Sequence, residues 1–107
     1  MTPIDFYFDF SSPYGYFGAT QIDALAARHG RAVNWHPMLL GLVFKTVGTA
    51  PLPSIPVKGP YHLDDIRRTA RYFGIPYVHP SRFPIATQHA GRAFTWLAGR
   101  DPALARA

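Results

Sequence analysis

"FDFSSPYGYFG", residues 8–18, decides the fold, because an apolar strand runs there straight into a helix start. Upstream, "IDFYFDF" (4–10) alternates, with Ile4, Phe6, Phe8 and Phe10 on one face and Asp5, Tyr7 and Asp9 on the other. That period and its aromatic content predict a strand. Ser12 then stands as N-cap with Pro13 at the first helical position; the serine oxygen satisfies an orphan N–H, and proline has none to lose. The helix is expected to turn Phe17, Ile22, Leu25 and Ala26 inward and to stop at Gly30. "AVNWHPM" (32–38) reads as a second strand ended by Pro37. Strand, helix, strand in this order predicts a parallel βαβ unit with a right-handed crossover.

Further along, "LLGLVFKTVG" (39–48) holds a short helix or a turn, and "GTAPLPSIPVKGP" (48–60) carries four prolines. So long a connection marks a linker or a functional loop. "YHLDDIRRTARYFG" (61–74) predicts a helix with the stripe Leu63, Ile66, Ala70 and Phe73, ended by Gly74 and Pro76. Asp64 and Asp65 in its early turns and arginines later suit the macrodipole. "IPYVHPSRFP" is extended, and Thr87 caps a helix to Leu97 with Gly99 as its stop. Asp101-Pro102 restarts a helix five residues before the final Ala107, so the sequence is expected to be cut off as another helix begins.

The totals bound the rest. A chain of 107 residues is one domain at most. Hydrophobic residues make up 48% and charged residues 16%, a globular balance that argues against disorder. The net charge is +5, but the nine arginines and two lysines are scattered apart from Arg67, Arg68 and Arg71, so no nucleic-acid partner is expected. With no cysteine, disulfides, thiolate metal sites and redox chemistry by the chain's own thiols are excluded. "MTPIDFYF" lacks a basic leader, and "PMLLGLVF" falls short of a membrane span of roughly 18 residues. A cytoplasmic protein without a membrane partner is the expectation.

Three readings of Ser12 follow from its place. It is an ordinary N-cap, worth roughly 0.5–2 kcal/mol; or its hydroxyl and the helix terminus hold an anion or an exogenous thiolate; or it is a nucleophile with a histidine base. Lowering a thiol pKa from about 8.5 to about 6.5 needs roughly 2.7 kcal/mol. One charge-assisted hydrogen bond supplies roughly 1.5–3 kcal/mol. The third reading is weak, since there is no G-x-S-x-G elbow. His29, His36, His62, His79 and His89 lack metal spacing, and each reads as a surface or turn residue.

"DFYFDFSSPYGYFG", with "GLVFKTVGTAPLPSIPVKGPYHLDDIRRTARYFGIPY" and "PSRFPIATQHAGRAFTWL", resembles the 2-hydroxychromene-2-carboxylate isomerases. These are relatives of the kappa-class glutathione transferases in the DsbA-like thioredoxin superfamily. The resemblance implies an α/β fold: the N-terminal βαβ half of a thioredoxin-like domain over 1–38, a Pro/Gly-rich connecting loop over 39–60, and the start of an all-helical insertion over 61–107. It also implies that family members continue into a second half with a cis-proline loop that has no match here.

By the same resemblance, Ser12 stands where redox relatives carry the first cysteine of C-x-x-C and hydrogen-bonds the sulfur of glutathione. The implied reaction is glutathione-dependent cis–trans isomerisation: the thiolate adds to a hydroxychromene acid, the ring opens, a bond rotates and glutathione leaves. Contacts to glutathione or to a small aromatic carboxylate are implied at Pro13, Tyr14, Thr49 and Lys58. Tyr14 and Lys58 also have plain readings, as a first-turn aromatic and a solvated loop lysine. Thr49 offers a hydroxyl where family members commonly carry the asparagine of G-N-x-P. A kappa-like transferase, and a truncated non-catalytic binding module, stand as alternatives; a homodimer is an open expectation.

Overall fold

The computed structural model describes residues 1–107. Strand β1 (Ile4–Phe8) pairs in parallel with β2 (Val33–Pro37), Ile4 opposite Val33 and Phe8 opposite Pro37. Two helices connect them, α1 (Pro13–Ala19) and α2 (Ile22–Arg28). The βαβ order of the sequence is therefore present, with one correction: the single helix expected from residue 13 to 30 breaks at Thr20 and Gln21. The Thr20 hydroxyl and the Gln21 side-chain amide both donate to the Phe17 carbonyl, which caps the first helix from within. After the break Ala26 is buried, Ile22 is half-buried, and Leu25, expected inward, lies exposed. Gly30 adopts the left-handed conformation (φ 64°) that ends α2.

Beyond the sheet come α3 (Leu40–Val47), a 3₁₀ turn (Leu52–Ser54), α4 (Lys58–Phe73), α5 (Gln88–Ala98) and α6 (Pro102–Arg106). The 39–48 segment thus resolves as a helix, stopped by Gly48 at φ 76°. α4 begins three residues before the expected Tyr61. Val57, at φ 68° and ψ −54°, makes a γ-turn in which the Lys58 N–H donates to the Pro56 carbonyl at 2.7 Å. Gly59 then packs against the 3₁₀ turn so tightly that a Cβ on it would meet the Pro53 carbonyl oxygen at 2.7 Å. The earlier start moves Asp64 and Asp65 into the second turn, and the first turn of α4 holds no acidic residue.

Two small apolar clusters hold these elements. Trp35 and Phe94 of α5 set their rings edge-on to Phe8 at 5.5 and 5.1 Å, and Phe6 meets Trp35 at 5.1 Å. Phe17 of α1 buries against Ile66 and Ala70 of α4, with Ile75 and Tyr77 alongside. The buried stripe of α4 is Gly59, His62, Ile66 and Ala70, turned slightly from the expected Leu63, Ile66, Ala70 and Phe73. Leu63 is half-buried and Phe73 is exposed, and a histidine takes the inner place. Near the C-terminus, Asp101 caps α6 by accepting from the Leu104 N–H at 3.1 Å, as its Asp-Pro start predicts. Arg106 ties α6 to the sheet by donating to the Val33 carbonyl at 3.0 Å.

Candidate functional site

The site grows from the turn that follows β1. The strand stops at Phe8, two residues before the alternation predicts, because Asp9 turns inward and Phe10 outward, 53% exposed. Asp9 Oδ1 accepts from the Ser11 N–H at 2.9 Å, an Asx turn, and from the Thr87 hydroxyl at 2.6 Å. Its Oδ2 accepts from the Leu40 N–H at 2.9 Å. One buried carboxylate thus joins the β1–α1 turn, the start of α3 and the start of α5. Burial pushes the Asp9 carboxyl up, but the bonds from Ser11, Thr87 and Leu40 outweigh it and hold the group below its ordinary value. Thr87 sits at the N-cap position of α5, yet its hydroxyl serves Asp9 and makes no cap bond, a correction to the expected capping role.

Ser12 occupies the N-cap of α1 as its sequence predicts. Its Oγ accepts from the Gly15 N–H at 3.1 Å, and its carbonyl accepts from the Tyr16 N–H at 3.0 Å. The cap bond fixes the oxygen through a lone pair and leaves the hydroxyl proton free to donate. α1 is only seven residues long. Its dipole is correspondingly shorter than that of the continuous helix the sequence suggests, so the hydroxyl is the main local source of stabilisation for a negative charge.

Ser12 faces a cavity of about 640 Å³ bounded by the β1–α1 turn, α3, the 3₁₀ turn, α4 and residues 83–88. A smaller cavity of about 300 Å³ meets it at Ser11, Ser12 and Pro13. Of the residues singled out from the sequence, Ser12, Pro13 and Tyr14 come together on the larger cavity, whereas Thr49 and Lys58 are exposed and outside its lining. Tyr14 donates its phenol proton to Asp65 Oδ2 at 2.5 Å. Burial, with that carboxylate added, raises the phenol well above its usual value. Tyr14 is therefore a neutral wall whose proton is committed.

Sequence reasoning passes over two groups of this cavity. Asp9 reads as the polar face of a strand, although an aspartate two residues before Ser11 carries the Asx-turn signal. His62 reads as a surface residue, yet it is 6% exposed and lines the cavity, and its Nδ1 is buried with no hydrogen-bond partner. Burial lowers its pKa and keeps the ring neutral near pH 7.

Comparison with known proteins gives this site its context. A family model described as a DSBA-like thioredoxin domain matches residues 3–107. The chain is 35% identical over 81 residues to glutathione S-transferase kappa 1 of Caenorhabditis elegans, covering 75% of this chain and 36% of that protein. It is 34% identical over 83 residues to the 2-hydroxychromene-2-carboxylate isomerase of Pseudomonas putida, covering 75% and 40%. Among solved structures, a 2-hydroxychromene-2-carboxylate isomerase superposes with a TM-score of 0.80 at 27% identity, covering 98% of this chain and 51% of that one. The chain spans less than half the length of the curated relatives it matches.

Proposed function

The chain belongs to the DSBA-like thioredoxin domain family, and from that premise we propose that it serves glutathione-dependent cis–trans isomerisation of the 2-hydroxychromene-2-carboxylate type, in cytoplasmic catabolism of aromatic compounds. The observation that carries the reading is Ser12: a capped serine with an uncommitted hydroxyl proton, facing a cavity, in a chain with no cysteine. Relatives named as isomerases and as kappa transferases support an enzyme of this group.

The residues fit a thiol ligand. The larger cavity offers mainly apolar wall from α3 and the 3₁₀ turn, with polar side chains at Asp9, Ser11, Ser12, Tyr14, His62, Thr87 and Gln88. When bound, glutathione supplies the thiolate nucleophile that this chain lacks. Ser12 Oγ–H donates to the sulfur, while the Gly15 N–H keeps the oxygen in place. The committed phenol of Tyr14 presents its ring face and neither gives nor takes a proton. The smaller cavity, adjoining at Ser12 and carrying Tyr16, Tyr77 and Phe83, provides aromatic wall next to the thiol position for the carboxylate substrate. Thr49 and Lys58, outside the lining, serve at most the periphery of the ligand.

The test follows 2-hydroxychromene-2-carboxylate and its open-chain isomer by ultraviolet absorbance with this chain, with and without glutathione. Interconversion that requires glutathione is the expected result; interconversion at the same rate without it, or none with it, overturns the proposal. The kappa-type relative supports a second reading, conjugation of glutathione to an electrophile. Appearance of a glutathione conjugate in place of isomer would select it.

A further inference from the structure

Resting on that reading, we propose that Arg82 holds the substrate carboxylate at the rim of the smaller cavity and so selects aromatic acids. A carboxylate leaves water at a cost that a fixed cation offsets. The smaller cavity, about 300 Å³, has one charged side chain on its lining, and that is Arg82. The larger cavity has no lysine or arginine; its charge is that of Asp9, and His62 stays neutral near pH 7. Lys58, the cation that the sequence offers for a carboxylate, lies outside both linings.

The guanidinium is also uncommitted. The ion pairs of the chain join His36 to Asp5, Arg67 to Asp64 and Arg106 to Asp23, and none draws on Arg82. No acidic residue occurs between Asp65 and Asp101 in the sequence, and none lines the smaller cavity. An incoming carboxylate therefore meets no competing anion on that wall. The planar fork of guanidinium N–H donors matches the two carboxylate oxygens as a bidentate pair.

The segment that carries Arg82 is tied down on both sides of it. Tyr16 donates its phenol proton to the Pro76 carbonyl at 2.8 Å, and the Tyr77 hydroxyl and His79 Nδ1 lie 2.9 Å apart. The Phe83 ring stands edge-on to His79 at 5.1 Å and stacks with His62 of α4 at 6.4 Å. Tyr16, Tyr77 and Phe83 all line the cavity, so the ring system of the acid has aromatic faces to pack against while its carboxylate meets Arg82. Ser12 lines the same cavity. A sphere of that volume is roughly 8 Å across, at the small end of ligand pockets, so one bicyclic acid is long enough to reach from Arg82 to a sulfur held at Ser12.

The test compares trans-cinnamate with its neutral amide, by chemical-shift titration of the labelled chain. The unsubstituted chain is expected to bind the acid at least about tenfold more tightly than the amide, the difference that one charge-assisted bond makes. Arg82→Gln should abolish that preference and leave binding of the amide unchanged. Arg82→Lys, which keeps the charge without the fork, should retain part of it; Arg71→Gln, with the same loss of charge, should retain all of it. In the isomerisation assay, Arg82→Gln should raise the KM for 2-hydroxychromene-2-carboxylate at least about tenfold, with little change in kcat or in the KM for glutathione. The role of Arg82 is overturned, and the proposed function left standing, by a preference that survives Arg82→Gln or is lost equally in Arg71→Gln. Equal or absent binding of acid and amide in the unsubstituted chain, or a fall in kcat with KM unchanged in Arg82→Gln, does the same. An unsubstituted chain that does not isomerise overturns the proposed function, and the cinnamate preference then still decides whether Arg82 holds an aromatic acid.

Discussion

Ser12 places two demands on one oxygen, and a substitution separates them. Its Oγ accepts from the Gly15 N–H to cap α1, while its proton is free for a ligand. Ser12→Ala is expected to cost roughly 0.5–2 kcal/mol of stability through the lost cap. It should also raise the pKa of bound glutathione by roughly 1–2 units, the equivalent of one hydrogen bond to a charged group. Thiolate absorbance against pH checks the second effect, and an unchanged titration would reduce Ser12 to a cap. Asp9 presents a different case, since it only binds the chain to itself. Asp9→Ala leaves the Leu40 N–H and the Thr87 hydroxyl without their acceptor, at a cost on the order of 3 kcal/mol. Asp9→Asn, which keeps one carbonyl oxygen, should lose less in urea denaturation.

Helix α4 is the element that brings His62 to the cavity and Asp65 to the Tyr14 phenol, and its register depends on Gly59. A methyl group there would meet the Pro53 carbonyl oxygen at 2.7 Å and the Leu52 carbonyl oxygen at 3.1 Å, both backbone atoms. Gly59→Ala is therefore expected to destabilise by about 1–3 kcal/mol, despite alanine's higher helix propensity. Gly41, early in α3, has nothing within 4 Å of its missing Cβ, so Gly41→Ala should stabilise by up to about 1 kcal/mol. Opposite shifts in the two melting temperatures check the pair. These elements also show what the sequence made legible. The start of β1, the Ser12-Pro13 helix start and the Asp101 cap are local signals, and each stands where its residues put it, although β1 ends two residues early. The break at Thr20 was not legible: it comes from local bonds of Thr20 and Gln21 to the Phe17 carbonyl, which such side chains also make inside continuous helices without ending them. The inward turn of Asp9, beyond its Asx-turn signal, answers a tertiary demand. Thr87, 78 positions from Asp9, draws the carboxylate inward, and the packing of Gly59 on the 3₁₀ turn together with Ile66 and Ala70 on Phe17 fixes the α4 face that carries His62.

At the scale of the whole molecule, polar ties across long stretches of sequence stand in for a large core. Only 12 of 107 residues are buried, and the radius of gyration of 15.0 Å exceeds the roughly 13 Å usual for a compact chain of this length. Asp9–Thr87, Tyr14–Asp65, Tyr16–Pro76 and Arg106–Val33 join the two halves of the chain, so acid should undo the fold in two stages. His62 has a folded pKa below its ordinary 6.5. The unfolded chain therefore binds its proton more readily, and stability starts to fall as the pH drops below 6.5. Asp9 has a folded pKa below its ordinary 3.8. Its contribution is complete above that value and is lost as the pH falls through the folded one. Urea midpoints measured from pH 8 to pH 2.5 should thus show a first decline starting near pH 6.5 and a second starting near pH 4. His62→Gln should abolish the first decline and keep the second; Asp9→Asn should flatten the second alone. A single decline confined to the carboxylate range would show that the folded chain takes up a proton at His62 as readily as the unfolded one.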